Sequence, residues 1–110
     1  MKEDYPVFVK WSDAVDWILD TVEKFPKSVR FTISGRIGNL TLDIMEGIIE
    51  AIYSKDRSRI LEKLNLDMEK LRVMFRISFN RKYISKNQYE HISEMLDETG
   101  RMLGGWRKRQ

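Results

Sequence analysis

The sequence predicts an all-α protein: an antiparallel up-down-up-down four-helix bundle forming one domain over residues 1–110. Three observations carry that prediction. Apolar residues recur at alternating spacings of three and four in four long segments, which places them on one face of a helix. The segments are joined by connections of a few residues, which makes successive helices antiparallel neighbours. The 42% hydrophobic content is enough for a core, while the 34% charged content suits a solvated surface.

The first helix is expected over 6–24. Pro6 suits its first turn, where a missing N–H costs nothing. Phe8, Trp11, Val15, Ile18, Val22 and Phe25 form its seam, with Asp13, Asp16, Asp20 and Glu23 off it. Pro26 ends it, because the residue before a proline disfavours helical dihedrals. The second helix is expected over 29–53, with Ser28 as its N-cap. Ile33, Ile37, Leu40 and Ile44 make one apolar row, extended by Met45, Ile48, Ile49 and Ile52. Gly35, Gly38 and Gly47 each cost about 1 kcal/mol relative to Ala in a helix interior. They are expected where another backbone comes close.

The third helix is expected over 57–82, with Asp56 as a candidate cap. Leu61, Leu64, Met68, Leu71, Phe75 and Ser78 share one side of it. Arg59, Lys63, Lys70 and Arg81 fall on the opposite side, with Leu66, Val73 and Ile77 among them. Ser85 followed three residues later by Gln88 is a capping box. It opens the fourth helix, expected over 86–103, on which Tyr89, Ile92, Leu96, Thr99 and Leu103 continue the seam. Gly104-Gly105 are expected to end it, leaving a basic tail over 104–110.

There is no cysteine, so no disulfide framework or thiolate metal site can form. No apolar run approaches the roughly 18 residues of a membrane span, and the opening MKEDYP lacks a signal-peptide apolar region. A cytoplasmic protein with no membrane partner is expected. The single histidine, His91, has Gln88 rather than Glu three residues before it, so the Glu-x-x-His pairs of a di-iron bundle are missing. No nucleophile on a strained turn accompanies it. Gly35-Arg36-Ile37-Gly38 follows no strand and precedes no Lys-Ser/Thr, so it is not a phosphate loop. No catalytic residues, metal site or cofactor are expected, and the chain is read as a non-enzyme.

The net charge of +3 is uneven. Residues 1–55 hold seven Lys/Arg and nine Asp/Glu, whereas residues 56–110 hold thirteen and eight. The basic residues of the second half form three groups: Arg59, Lys63, Lys70 and Arg81 on the back of the third helix; Arg72 and Arg76 on its flank; and Arg101, Arg107, Lys108 and Arg109 near the end of the chain. These are the candidate nucleic-acid contacts, since such groups neutralise phosphates. The competing expectation is local pairing of Asp56 with Arg59, Asp67 with Lys70 and Glu69 with Arg72 on the helix surface. The tail, with Arg107, Lys108 and Arg109, has no such acids near it in sequence. The surplus apolar residues Trp17, Leu66, Val73 and Ile77 exceed what one bundle needs. They predict a homo-oligomer, with Leu66, Val73 and Ile77 at the interface, the alternative being a broad core.

Several stretches together carry a family resemblance. They are Lys24-Phe25-Pro26-Lys27 followed by Arg30-Phe31, the segment GRIGNLTLDIMEGIIEA, and the ending Gly100-Arg101-Met102-Leu103-Gly104-Gly105-Trp106. Nearly the whole chain resembles the accessory variability determinant (Avd) proteins of diversity-generating retroelements. These lie within a wider four-helix-bundle family also encoded by intervening sequences in ribosomal RNA genes. The resemblance implies a homopentameric barrel of four-helix protomers with a basic surface and no catalytic activity. It implies as partners a reverse transcriptase and its template RNA, with DNA as a further candidate, in support of mutagenic cDNA synthesis and retrohoming. The alternative is a structural or protein-interaction bundle of the ribosomal intervening-sequence type, with no specific nucleic-acid role.

Overall fold

A computed structural model describes residues 2–109. Four α-helices make up most of it: α1 (Pro6–Val22), α2 (Gly35–Tyr53), α3 (Ser58–Asn80) and α4 (Lys86–Lys108). A 3₁₀ turn at Lys2–Asp4 precedes α1, and a 3₁₀ turn at Lys27–Val29 and a π-helical turn at Arg30–Ser34 lead into α2. Among the described residues there is no strand. Each helix packs on the next, and α1 closes against α4. The antiparallel order is visible between α3 and α4: Glu62 reaches Arg107, while Arg72, ten residues further along, reaches Asp97, ten residues back.

The core follows from the apolar rows. On α3 all six seam residues, Leu61 to Ser78, are buried. On α4, Ile92, Leu96, Thr99 and Leu103 are buried, and Trp106 extends the row. On α1 the inward face is rotated slightly from the expected one. Trp11, Ile18 and Val22 are buried as expected, but Val7, Ala14 and Thr21 take the inner positions that Phe8 and Val15 only partly reach. Trp11 fixes α1 to α2, its indole Nε1 donating to the Thr41 carbonyl at 3.1 Å in the buried interior. That carbonyl is otherwise an ordinary helix acceptor, and sharing it satisfies the one polar atom of a fully buried indole.

Each of the four helices differs from expectation at one end or both. The first helix stops at Val22 rather than 24, because Lys24 and Phe25 tighten into donors to carbonyls three residues back ahead of Pro26. The second does not start as a regular α-helix at 29. Ser28 is not an N-cap; it lies inside the 3₁₀ turn, and no side chain caps the segment. Regular α-helix begins at Gly35, whose N–H donates to the Arg30 carbonyl; a Cβ there would lie 3.1 Å from that oxygen. The third helix is the shorter run Ser58–Asn80, with Arg57 as its N-cap residue, and Asp56 Oδ1 accepts from the Ser58 N–H at 3.3 Å.

The fourth helix is longer than expected. Gly104 and Gly105 do not end it, and it continues to Lys108. Trp106 explains this, being buried with its ring centroid 5.3 Å from that of Tyr5 and the Arg57 guanidinium 5.0 Å above it. Burying so large a ring contributes about 2–3 kcal/mol, which offsets the helix cost of two glycines, about 1 kcal/mol each. The capping box at its start forms as expected: Gln88 N–H donates to Ser85 Oγ at 3.1 Å, and Ser85 N–H donates to Gln88 Oε1 at 2.8 Å. The glycines of α2 are likewise placed differently from expectation. Over Gly47 it is the Leu64 side chain of α3 that sits close, with its Cδ2 2.6 Å from where a Cβ would be.

Candidate nucleic-acid interface

The back of α3 is basic in sequence but not in space. Helix α2 lays Asp43, Glu46 and Glu50 beside Arg59 and Lys63, around an open groove of about 440 Å³. Lys63 Nζ donates to Asp67 Oδ2 at 3.0 Å, and Lys70 approaches the other oxygen of the same carboxylate at 4.0 Å. That hydrogen bond, then the Asp67 charge, holds the Lys63 ammonium above the usual lysine range, with Asp43 and Glu50 adding to the effect. Asp67 itself is buried. Helical periodicity assigns it no site role, yet it neutralises two candidate contacts at once.

The flank divides. Arg72 is engaged three ways: Nη1 donates to Asp97 Oδ1 at 2.7 Å, Nη2 to the Leu96 carbonyl at 3.3 Å, and Nε lies 3.6 Å from Glu69. It is a bolt between α3 and α4. Arg76, one turn on, is exposed and makes no ion pair among the described residues. Of the expected local pairs, Asp67–Lys70 and Glu69–Arg72 are present. Asp56 instead turns back to the Ser58 N–H. Arg81 lies with its guanidinium 6.0 Å from the Tyr83 ring centroid, and its Nε donates to the Tyr83 hydroxyl at 3.4 Å.

The final group is helical, not a free tail. Arg107 lies 3.5 Å from Glu62 of α3, an acid that sequence distance had hidden. Arg101, Lys108 and Arg109 are exposed and make no ion pair among the described residues. Near them Lys10 pairs with Glu98 from α1 to α4. The apolar residues among the α3 basics are left open in the protomer: Leu66 is 54% exposed, Val73 37% and Ile77 36%. Trp17 is only half-buried, with the His91 ring tilted at 58° against it and 4.9 Å between ring centroids.

A second basic region lies at the opposite end of the bundle. The Phe25 and Tyr83 rings, with centroids 5.4 Å apart, join the α1–α2 crossing to the α3–α4 turn. Lys24, Lys27, Arg30 and Lys82 are exposed around them and make no ion pair among the described residues. Phe31 stands 91% exposed beside Arg30. Sequence reasoning assigned none of these to a site. The available signal was a large aromatic two residues before Ile33, and so off the inward row of the second helix.

A family model described as bAvd-like matches residues 7–110, from the first turn of α1 to beyond the end of α4. The chain belongs to the bAvd-like family. That match takes in all four helices, the Phe25-Pro26-Lys27 crossing and the Gly104-Gly105-Trp106 ending. No curated protein matches the chain significantly. Among the described residues of this bAvd-like chain, no group of three or more His, Cys, Asp or Glu is placed to hold a metal ion, and no helix is long and apolar enough to cross a membrane.

Proposed function

We propose that this bAvd-like protein is a non-catalytic accessory factor that binds nucleic acid and associates with a retroelement reverse transcriptase and its template RNA, supporting mutagenic cDNA synthesis and retrohoming. The observation that carries the reading is the distribution of unpaired cations. On α3, Lys63, Lys70 and Arg72 are neutralised by Asp67, Asp97 and Glu69. Those at the two ends of the bundle, Arg101, Lys108 and Arg109 at one and Lys24, Lys27 and Lys82 at the other, are exposed. Cations that make no ion pair are available to displace counterions from phosphates. A homo-oligomer, a pentamer by family, would repeat both ends around its axis and multiply a weak contact. The open residues Leu66, Val73 and Ile77 support such an assembly.

The test is RNA affinity by fluorescence anisotropy at about 50 and about 200 mM salt, with co-purification of a reverse transcriptase encoded beside the gene. Affinity should fall steeply as salt rises, and the polymerase should be retained. Absence of binding at the lower salt would overturn the reading. One observation favours the alternative of a structural bundle: Lys63, Lys70, Arg72 and Arg107 are all spent on partners within the protomer. Under that alternative, replacing Lys108 and Arg109 alters solubility alone.

A further inference from the structure

We infer that the end of the bundle formed by the α1–α2 crossing and the α3–α4 turn is a stacking site for single-stranded nucleic acid. Phe31 is its aromatic platform, and Lys24, Lys27, Arg30 and Lys82 are its phosphate contacts. The inference rests on the nucleic-acid reading above and adds to it a place and a preference for unpaired strands.

Three independent features lie at that end of the bundle. The first is Phe31, 91% exposed although a single outward phenylalanine contributes nothing to the core. It sits on a π-helical turn, Arg30–Ser34, a distortion that is uncommon in helices and concentrates at functional sites. A π-helical turn is wider than an α-helix, so Arg30 and Phe31 do not continue the angular register of α2.

The second is the backbone of Lys82. Its φ is 65°, the left-handed region, and no other non-glycine residue among those described has a positive φ. Tyr83 N–H donates to the Ser78 carbonyl at 2.9 Å and Lys82 N–H to the Phe79 carbonyl at 3.0 Å. These two bonds make a Schellman cap, in which the left-handed position is normally glycine. A lysine is held where a glycine would be less strained. Strain of that kind persists where the side chain is needed, and here the side chain is a cation that makes no ion pair among the described residues.

The third is a groove between α1 and α2 that is lined by Arg30, the residue before Phe31 in sequence. It has a volume of about 510 Å³, with Leu19, Val22, Phe25 and Pro26 as apolar walls and Lys27 and Arg30 on its rim. Glu23 is the single carboxylate lining it. Apolar walls under a cationic rim suit bases laid flat with phosphates at the edge. An exposed ring stacks on a base face, and base faces are free only where the strand is unpaired. Charge decides against an acidic protein helix as occupant less sharply than the ring does, because a lone protruding phenylalanine matches a base better than a broad surface.

The experiment compares an RNA of about 12 nucleotides, within the usual range for such sites, with the same sequence as a duplex. Wild type, Phe31→Ala, Phe31→Trp, the double variant Lys27→Gln/Arg30→Gln and Lys82→Gly are titrated at two salt concentrations, with solution mass measured for each. Phe31→Ala should weaken single-strand binding roughly 5- to 150-fold, the range of one lost stacking contact. It should leave duplex binding and mass unchanged, and Phe31→Trp should restore affinity. Lys27→Gln/Arg30→Gln should flatten the salt dependence instead. Lys82→Gly should weaken binding while raising Tm by about 5 °C, since it relieves the left-handed strain. If Phe31→Ala binds as wild type does while loss of Lys108 and Arg109 abolishes binding, the stacking site is wrong and the accessory role stands. A fall in solution mass with Phe31→Ala would place the ring against another protein surface and also overturn the site. If wild type binds no RNA, both fail.

Discussion

Lys63 Nζ donates to Asp67 Oδ2 at 3.0 Å, an exposed cation tied to a carboxylate whose side chain is only 4% exposed. The pair stabilises the face between α2 and α3 and removes Lys63 from the pool of free positive charge. Lys63→Gln should therefore lower stability by about 1 kcal/mol, the worth of a charged hydrogen bond discounted for the exposure of the lysine. RNA affinity should stay within twofold. Lys108→Gln/Arg109→Gln should do the reverse, and denaturant melts beside anisotropy titrations will separate the two patterns.

The glycines offer a contrast in sign. A Cβ on Gly104 meets nothing within 4 Å, so Gly104→Ala should stabilise by about 1 kcal/mol through helix propensity alone. A Cβ on Gly47 would lie 2.6 Å from Leu64 Cδ2 and 3.2 Å from its Cγ, so the buried Leu64 side chain must shift from its position in the core. Overpacking costs about 1–3 kcal/mol and exceeds the propensity gain, so Gly47→Ala should destabilise. Thermal melts of both variants check the signs, and a stabilised Gly47→Ala would mean that Leu64 repacks freely.

The Lys10–Glu98 contact should appear in acid titrations. The hydrogen bond from Lys10, then its charge, holds the Glu98 carboxyl below the usual glutamate range, with Arg101 adding to the effect. A depressed folded-state value means stability that is present above the unfolded pKa, about 4.3, and lost as pH falls through the folded value. Replacing Lys10 with Met should shrink the fall in Tm over that acidic window and leave the neutral-to-alkaline slope unchanged. An identical acid limb in both proteins would show that the contact carries no linkage.

Val73 is the test of assembly. It is 37% exposed on α3 and borders a groove with Leu40 and Met74. Val73→Glu should dissociate a homo-oligomer and leave the protomer's helical signal and melting cooperativity intact, read by light scattering and circular dichroism. An unchanged mass would remove this face from the interface.

The bundle was legible in the sequence because period and burial agree. The α3 seam from Leu61 to Ser78 is buried residue for residue, and the Ser85–Gln88 box caps α4. What escaped was decided by contacts remote in the chain. Gly104-Gly105 read as a helix end until Trp106 is seen against Tyr5 and Arg57. Arg107 reads as a free cation until Glu62 is brought alongside it, and Arg72, paired in sequence only with Glu69, also takes Asp97. Asp67 sits beside the seam residue Met68 and was not marked for burial, because helical periodicity counts apolar residues and passes over a carboxylate. The crossing before α2 escaped for another reason. A π-turn leaves no periodic trace in five residues, so Arg30 and Phe31 were counted as part of a regular helix.

The Tyr5–Trp106 contact also bears on how the protein is made. The two rings lie about a hundred residues apart in sequence, at centroids 5.3 Å apart. As synthesis proceeds from the N-terminus, α1 emerges first and can pair early with α2, whereas its other neighbour, α4, arrives after the three preceding helices. Until then the apolar rows of α1 and α3 are only partly covered, and a nascent three-helix intermediate presents a sticky groove the length of the bundle. Pausing before Trp106, or a truncation that removes it, should therefore turn a fast-folding bundle of mostly local contacts into a client of chaperones and proteases.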